Sequence, residues 1–563
     1  MFSSKTLDQS KKKRQEYERE FEKLYGEKSF NDATSSGIPI KPVYGPEDIE
    51  QAEYEEIGMP GVYPYTRGEY PLQYQLHPWG AEFGLGYGLP EDTRKRYDLL
   101  RKEGMAGYMG DEPLFFAAFD EVHNQGWDPD HPGARGLVGR CGPTFSTLRD
   151  LELLFDGLPM DRVRVMLNTF SLGIVSTAMY IVYCERRSIH QEKLGGVTLN
   201  QFYRPICGDM ASLLPPGGLR VSVELIKYCV KHMPRWRTIS IAGYLMSEAG
   251  ATPVQEVAFM LATMRVVARE CTEVGLSPDD ILKRFSNFMA AGNDFFEHIA
   301  KVRAYRRMWA KTAKEEFDCK NPRSMKTVIQ LKTSGASLTA QQPRNNIIRT
   351  AIHTLESVLA SPDVIWTTAY DEVLGLPTEE SATLGLRTQQ IVYNETNIPK
   401  ISDPLAGCYY LEWLTNKIEE EAYKILRKID EIGYIECWHS GWFNKEIRES
   451  AYKYHSEVEG EKKIVVGVNE FISGEEQKVP VFKVDPRVEE IAIERVKEFK
   501  ENRDNAKTET ALAKMREVAE KVNSEWPKGG DLMPAVLDAA RANATMGEMS
   551  EVLKDVFGWG YCS

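Results

Sequence analysis

The stretch Thr238 to Ala258, TISIAGYLMSEAGATPVQEVA, constrains this chain more than any other. Thr238 to Tyr244 is rich in β-branched residues with a short apolar alternation, the pattern of a half-buried strand. Thr252 is placed to cap a helix, Pro253 fits its first position, and Gln255 completes a capping box. The prediction is strand, short loop, helix. In α/β folds the loop at the carboxyl end of a strand faces ligand, so Leu245 to Gly250, with the acidic Glu248, is expected at a site.

The same unit recurs. Val163 to Leu167 precedes a predicted helix over Phe170 to Cys184, and Thr327 to Leu331 precedes one over Asn345 to Leu359. Repeated βα units from about residue 75 to 415 suit a (β/α)8 TIM barrel with long insertions; a doubly wound sheet is the alternative. After about 415 the pattern becomes mainly helical, with a short strand-like Lys463 to Val468. Residues 487 to 523 read as charged helix, and Leu532 to Phe557 as further helices. We expect residues 1–45 as arm and linker, 46–415 as barrel and 416–563 as a mainly helical C-terminal region.

The N-terminal arm is dense in Lys, Glu and Arg, with Tyr17, Phe21, Leu24 and Tyr25 at helical spacing. That pattern fits a solvated helix and a partner-binding arm equally. The 563 residues are 42% hydrophobic, enough for a large core, and the formal charge of −13 opposes a nucleic-acid surface. Nine scattered cysteines, with no C-x-x-C pair, indicate neither a disulfide framework nor a metal site and fit a reducing cytoplasm. No apolar signal core follows the N-terminal charges. The long uncharged run Val165 to Cys184 is too polar for a membrane span and reads as buried strand and helix.

A collinear series of motifs then becomes informative. It comprises Tyr65-Thr66-Arg67-Gly68, Pro78-Trp79, Phe119-Asp120, Asp128-Pro129-Asp130-His131-Pro132 and Ser247-Glu248-Ala249-Gly250-Ala251-Thr252. It continues through Asn293-Asp294-Phe295-Phe296-Glu297, Ser337 to Pro343, Tyr370-Asp371-Glu372, Leu376-Pro377-Thr378-Glu379, Asp403 to Gly407, Leu532-Met533-Pro534 and Gly547-Glu548. In these pieces, from about residue 38 to the C-terminus, the chain resembles the large subunit of adenosylcobalamin-dependent acyl-CoA mutases, the methylmalonyl-CoA mutase family. An ordered set of this length is far more specific than any single motif.

The resemblance implies a (β/α)8 barrel threaded by an acyl-CoA and capped by adenosylcobalamin on a flavodoxin-like domain. It implies radical chemistry, in which an adenosyl radical abstracts a substrate hydrogen and a neighbouring group migrates, so the protein must position substrate and exclude quenchers. The cobalt-ligating Asp-x-His-x-x-Gly signature matches none of the nine histidines. The expectation is therefore a hetero-oligomer that shares the cofactor with a separate small cobalamin-binding subunit. Phe119, Glu248, Gln341 and Glu372 fall on family positions facing the cofactor; the alternative for Glu248 and Glu372 is that both are helix-start carboxylates favoured by the dipole.

The substrate pocket departs from the family. Methylmalonyl-CoA mutases carry a Tyr, a carboxylate-binding Arg and a thioester-contacting His where this chain has Gly84, Gly208 and Leu245. Further departures are Gln330-Leu331-Lys332-Thr333, Asp363 to Thr368, and an insertion that includes Asp111 to Phe116. The loss of side chains predicts a wider, more apolar acyl pocket without a carboxylate clamp, which disfavours methylmalonyl-CoA because an unpaired buried carboxylate costs several kcal/mol. Lys332 or Arg237 can supply a relocated charge, although Lys332 can equally reach a CoA phosphate or solvent. Ala118 replaces the Asp of 2-hydroxyisobutyryl-CoA relatives. Tyr70, Arg284 and Arg323 match positions along the CoA path, whereas His77, Gly80, Glu82 and Thr198 replace helpful residues. The function expected is a mutase large subunit for a branched or bulky acyl-CoA; the alternative is a non-catalytic assembly subunit.

Overall fold

The computed structural model describes residues 2–25, 32–84, 86–107, 112–208, 210–474 and 478–561. In chain order the strands are β1 (Gly80–Glu82), β2 (Phe115–Ala118), β3 (Arg164–Asn168), β4 (Gly195–Thr198), β5 (Ser212–Leu213), β6 (Trp236–Arg237), β7 (Ile239–Ala242), β8 (Phe285–Ala291), β9 (Val328–Thr333), β10 (Val364–Trp366) and β11 (Trp559–Gly560). Two sheets carry the fold, ordered β2-β3-β4-β6 and β1-β10-β9-β8-β7, and every pairing within them is parallel. β6 and β7 are separated by Thr238 alone, and the Ser240 amide reaches back to the Leu199 carbonyl beyond β4 at 3.3 Å. The two sheets thus run into one another along one strand. β8 is buried at all seven positions, as parallel strands covered on both faces should be.

Helices alternate with these strands. The Asn345–Leu359 helix has the bounds predicted from sequence, and Pro253–Glu273 begins at the expected cap: Thr252 Oγ1 accepts from the Gln255 amide at 3.3 Å, and Gln255 Oε1 accepts from the Thr252 amide at 2.9 Å. The predicted strand over Thr238 to Tyr244 is too long. It ends at Ala242, and Gly243–Glu248 is a short helix where a strand end and loop were expected. Tyr244 and Leu245 have the apolar character of a strand, but here they are the first turn of a helix that turns them toward the strand ends.

The helices after residue 415 bury their apolar stripes in the same two clusters that surround the strands. Met515, Val536 and Leu553 join Met179 and Trp236, while Leu414, Ile418 and Phe443 join Ile241, Phe259 and Trp309. The tail motif is explained by close packing on Asp128. Its carboxylate accepts from Thr545 Oγ1 at 2.6 Å and the Gly547 amide at 3.0 Å, and it pairs with Lys500 at 3.0 Å. A Cβ at Gly547 would lie 2.7 Å from Asp128 Cγ, so glycine is required there by contact.

The arm forms the helix Ser4–Tyr25. Arg14 holds it to the following segment through Glu47 Oε1 at 2.8 Å and Asp48 Oδ2 at 2.9 Å. Tyr17 is exposed; Phe21, Leu24 and Tyr25 lie outside the described side chains, and residues 26–30 and Asp111 outside the described residues. Among the described residues no helix is long and apolar enough to cross a membrane, and the cysteines are unpaired.

Candidate active site

Parallel strands alternate their side chains, so Gln330 and Lys332 of β9 point the same way, as do Val364 and Trp366 of β10. The register sets Val364 beside Gln330 and Trp366 beside Lys332, with Glu82 of β1 beside Trp366. These residues build a stack inside the strands. At one level Gln330 Nε2 donates to Glu82 Oε2 at 3.2 Å, and a cavity of about 80 Å³ opens beside them, lined also by Arg164 and Arg237. Burial pushes the Glu82 carboxyl up to about 8 from the ordinary 4.5, opposed only in part by Arg164. Glu82 therefore behaves as a neutral acid at pH 7, able to donate as well as accept.

Above this lies an aromatic layer. The Trp366 ring is parallel to Phe288 at 6.3 Å and edge-on to Phe116 at 5.1 Å, and Leu245 packs into the same group. Because Phe116 belongs to β2 and Phe288 to β8, the indole spans the space between the sheets. Lys332 Nζ lies 4.3 Å from the Trp366 ring centre and 4.8 Å from that of Tyr244, and donates to Glu372 Oε1 at 2.8 Å. The ammonium is thus desolvated by aromatic faces and neutralised by one carboxylate.

Beyond Lys332, at the carboxyl ends of the strands, Glu248 and Glu372 flank Gly335. A Cβ at Gly335 would sit 3.0 Å from Glu248 Oε2 and 3.1 Å from Glu372 Oε1. Glu248 accepts from Ser334 Oγ at 2.6 Å and the Ala336 amide at 2.8 Å. Burial raises its carboxyl above the ordinary range, an effect opposed by Lys332 and Ser334. Glu248 also borders a cavity of about 1060 Å³ that extends past Gly292 and Asn293. Behind that loop, fully buried Lys301 donates to Glu256 Oε2 at 2.6 Å and to the Ala290 carbonyl at 2.7 Å, fixing the end of β8.

Gly84 does not open the pocket as predicted. A Cβ there would lie 2.1 Å from Trp366 Cζ2, so the indole already fills the volume that a side chain at Gly84 would take. The expectation of a wider cavity at this point is corrected: the indole of Trp366 on β10 occupies that space. Gly208 is not brought to this layer either. It is exposed with φ +77°, a conformation that favours glycine, and a Cβ there would approach Asn444 and Arg448 of the helix Trp442–Glu459.

Among the other predicted residues, Leu245, Gln330, Lys332, Glu248 and Glu372 come together as described. Tyr70 and His77 form a separate pair, with ring centres 4.5 Å apart and Lys326 over Tyr70. Arg284 is tied to the Met233 and Pro234 carbonyls at 3.0 Å, Arg323 is exposed, and Arg237 donates to the Phe285 carbonyl. Phe119 is buried in the core against Phe145, at 4.7 Å; Gln341 is exposed. Sequence reasoning missed Tyr244 and the central place of Trp366. The available signal was the alternation of Val364 and Trp366, which puts a large aromatic on the inward side of a strand. Among the described residues no group of three or more His, Cys, Asp or Glu can hold a metal ion.

Comparison with known proteins identifies the family. The family profile described as methylmalonyl-CoA mutase matches residues 33–559. Human mitochondrial methylmalonyl-CoA mutase is 35% identical over 528 residues, covering 93% of this chain and 68% of that protein. The 2-hydroxyisobutanoyl-CoA mutase large subunit of Aquincola tertiaricarbonis is 33% identical, covering 93% and 92% respectively. The methylmalonyl-CoA mutase of Rhizobium meliloti (strain 1021) is 34% identical, covering 93% and 72%. Matches of this length show that the chain belongs to the methylmalonyl-CoA mutase family of cobalamin-linked isomerases.

Proposed function

We propose that the chain is the large subunit of an adenosylcobalamin-dependent radical mutase whose substrate is a branched acyl-CoA with no free carboxylate in its acyl group. The fold we infer is a closed (β/α)8 barrel, residues 46–415, with an N-terminal arm and a helical region, 416–563, packed on it. The strand order and the continuity of β6 with β7 support closure. We place the protein in the cytoplasm, in keeping with its unpaired cysteines.

The observation that carries the substrate reading is the charge arrangement at the acyl end. Lys332 is already paired with Glu372, and Glu248 stands beside them, so a substrate carboxylate would meet two resident carboxylates and one committed cation. Uncompensated burial of that charge costs several kcal/mol. Gln330 and Glu82 line the lower cavity with amide and acid groups suited to the amides of a pantetheine arm. The aromatic layer then shields the reacting end from water.

The residues at the carboxyl ends fit adenosylcobalamin. Glu248 offers carboxylate oxygens to ribose hydroxyls on the wall of the large cavity, Glu372 stands across Gly335 from it, and Gly335 leaves the gap between them clear. When bound, the cofactor supplies the radical that starts the reaction. The chain's own residues hold the two ligands end to end and exclude solvent. The relative named a large subunit, which this chain matches over nearly its whole length, supports cofactor binding shared with a small subunit. The paired carboxylates also favour catalysis over a purely assembling role. The test is to purify the chain with its small subunit, add adenosylcobalamin, and follow cob(II)alamin absorbance on addition of isobutyryl-CoA. Substrate-dependent cob(II)alamin is expected from the complex and not from the chain alone; tight histidine-ligated cobalamin on the chain alone would contradict the shared site.

A further inference from the structure

The Trp366 side chain carries an unused hydrogen-bond donor. Its Nε1 is shut off from solvent and finds no acceptor among the described residues. A buried polar group left unpaired costs about 1 to 3 kcal/mol, which is why such groups in native structures are almost always satisfied. The neighbours that define its position are the rings of Phe116 and Phe288, the ammonium of Lys332 and the bare backbone of Gly84. Gly84 permits the indole to stand where it does, since any side chain there would displace it.

Two other donor side chains of the stack already have carboxylate partners. Gln330 serves Glu82 and Lys332 serves Glu372, while Leu245, packed beside the indole, has nothing to donate. Trp366 also stands one layer beyond Gln330 and Val364, which line the lower cavity, and beside Lys332, which reaches Glu372, so it lies along the line from that cavity to the carboxylate pair. We propose that the Trp366 indole N–H donates to the carbonyl oxygen of the acyl thioester and thereby sets the height and rotation of the acyl group below the cofactor. The inference rests on the acyl-CoA reading given above. It assigns Trp366 a substrate-binding role in addition to its ring packing, which uses the indole's carbon edge and leaves the N–H free for the ligand.

The test uses the complex with its small subunit loaded with hydroxocobalamin, which does not initiate the reaction, and compares isobutyryl-CoA with S-isobutyl-CoA, a thioether lacking the carbonyl. Calorimetric titration should show Trp366→Phe binding the thioester about tenfold more weakly than the unmodified protein, with thioether affinity unchanged, the loss of one net hydrogen bond. Equal weakening for both compounds, or for neither, would reduce Trp366 to packing and overturn the proposal. A second measurement needs no variant. The infrared carbonyl band of carbon-13-labelled isobutyryl-CoA should move to lower frequency on binding the unmodified complex, and an unmoved band overturns the proposal even if Trp366→Phe does not fold. Failure of both compounds to bind the unmodified complex would instead overturn the acyl-CoA reading, and this inference with it.

Discussion

A Cβ at Gly84 would lie 2.1 Å from Trp366 Cζ2 and 2.3 Å from Cη2, so the glycine of one strand end and the indole of another occupy complementary halves of one space. On the proposed reading, this contact shapes the acyl end of the site.

Gly84→Ala should therefore destabilise the protein by overpacking, by about 1 to 3 kcal/mol. Combined with Trp366→Leu, the alanine should cost much less, because the partner of the clash is gone. A double-mutant cycle in denaturant measures this; strictly additive losses would contradict the contact.

The pH dependence of stability offers a second check. The Glu82 carboxyl titrates near 4.5 when unfolded and at about 8 when buried in the fold. Between those values the folded state binds more protons than the unfolded state, so this group's contribution falls as pH rises through the window, by an amount on the order of a few kcal/mol. Glu82→Gln should flatten the fall in melting temperature from about pH 5 to pH 8. Glu69, also raised to about 8 by burial, will leave a residual slope. An unchanged slope in Glu82→Gln would contradict the account.

Replacing Lys332 tests the charge arrangement. Lys332→Met removes the partner of Glu372 and leaves two carboxylates about Gly335 without their cation. The loss should be about 1.5 to 3 kcal/mol at neutral pH. It should shrink near pH 5, where Glu248, already raised by burial, takes up a proton more readily. Denaturation curves at the two pH values decide this, and equal losses would contradict it.

At the far end of the chain, Asp128→Ala should release the tail. Its carboxylate is buried and serves Thr545, Gly547 and Lys500 together, so a loss of about 3 kcal/mol is expected. Limited proteolysis should then cut within residues 532–557 before the rest of the chain. An unchanged cleavage pattern would show that the tail is held by its apolar contacts alone.

Local signals in the sequence were read well where they are local in cause. The Thr252 cap and the Asn345–Leu359 helix depend on neighbours a few positions away. Tyr244 was misplaced because its apolar character suits a strand, whereas its environment, a ring stacked on Phe288 at 4.9 Å, is tertiary. The sequence pattern singles out Gln330 and Lys332, but their partners Glu82 and Glu372 lie on other strands and loops. The volume at Gly84 was misread for the same reason: a missing side chain says nothing of what a distant tryptophan does with the space.

The most direct measurement is turnover by the complex of this chain, its small subunit and adenosylcobalamin with isobutyryl-, pivalyl- and methylmalonyl-CoA. The two neutral branched thioesters should give cob(II)alamin and rearranged product. Methylmalonyl-CoA should show a kcat/KM lower by about a hundredfold or more, as several kcal/mol of uncompensated charge requires. Efficient turnover of methylmalonyl-CoA, with the neutral thioesters inert, would contradict the central claim.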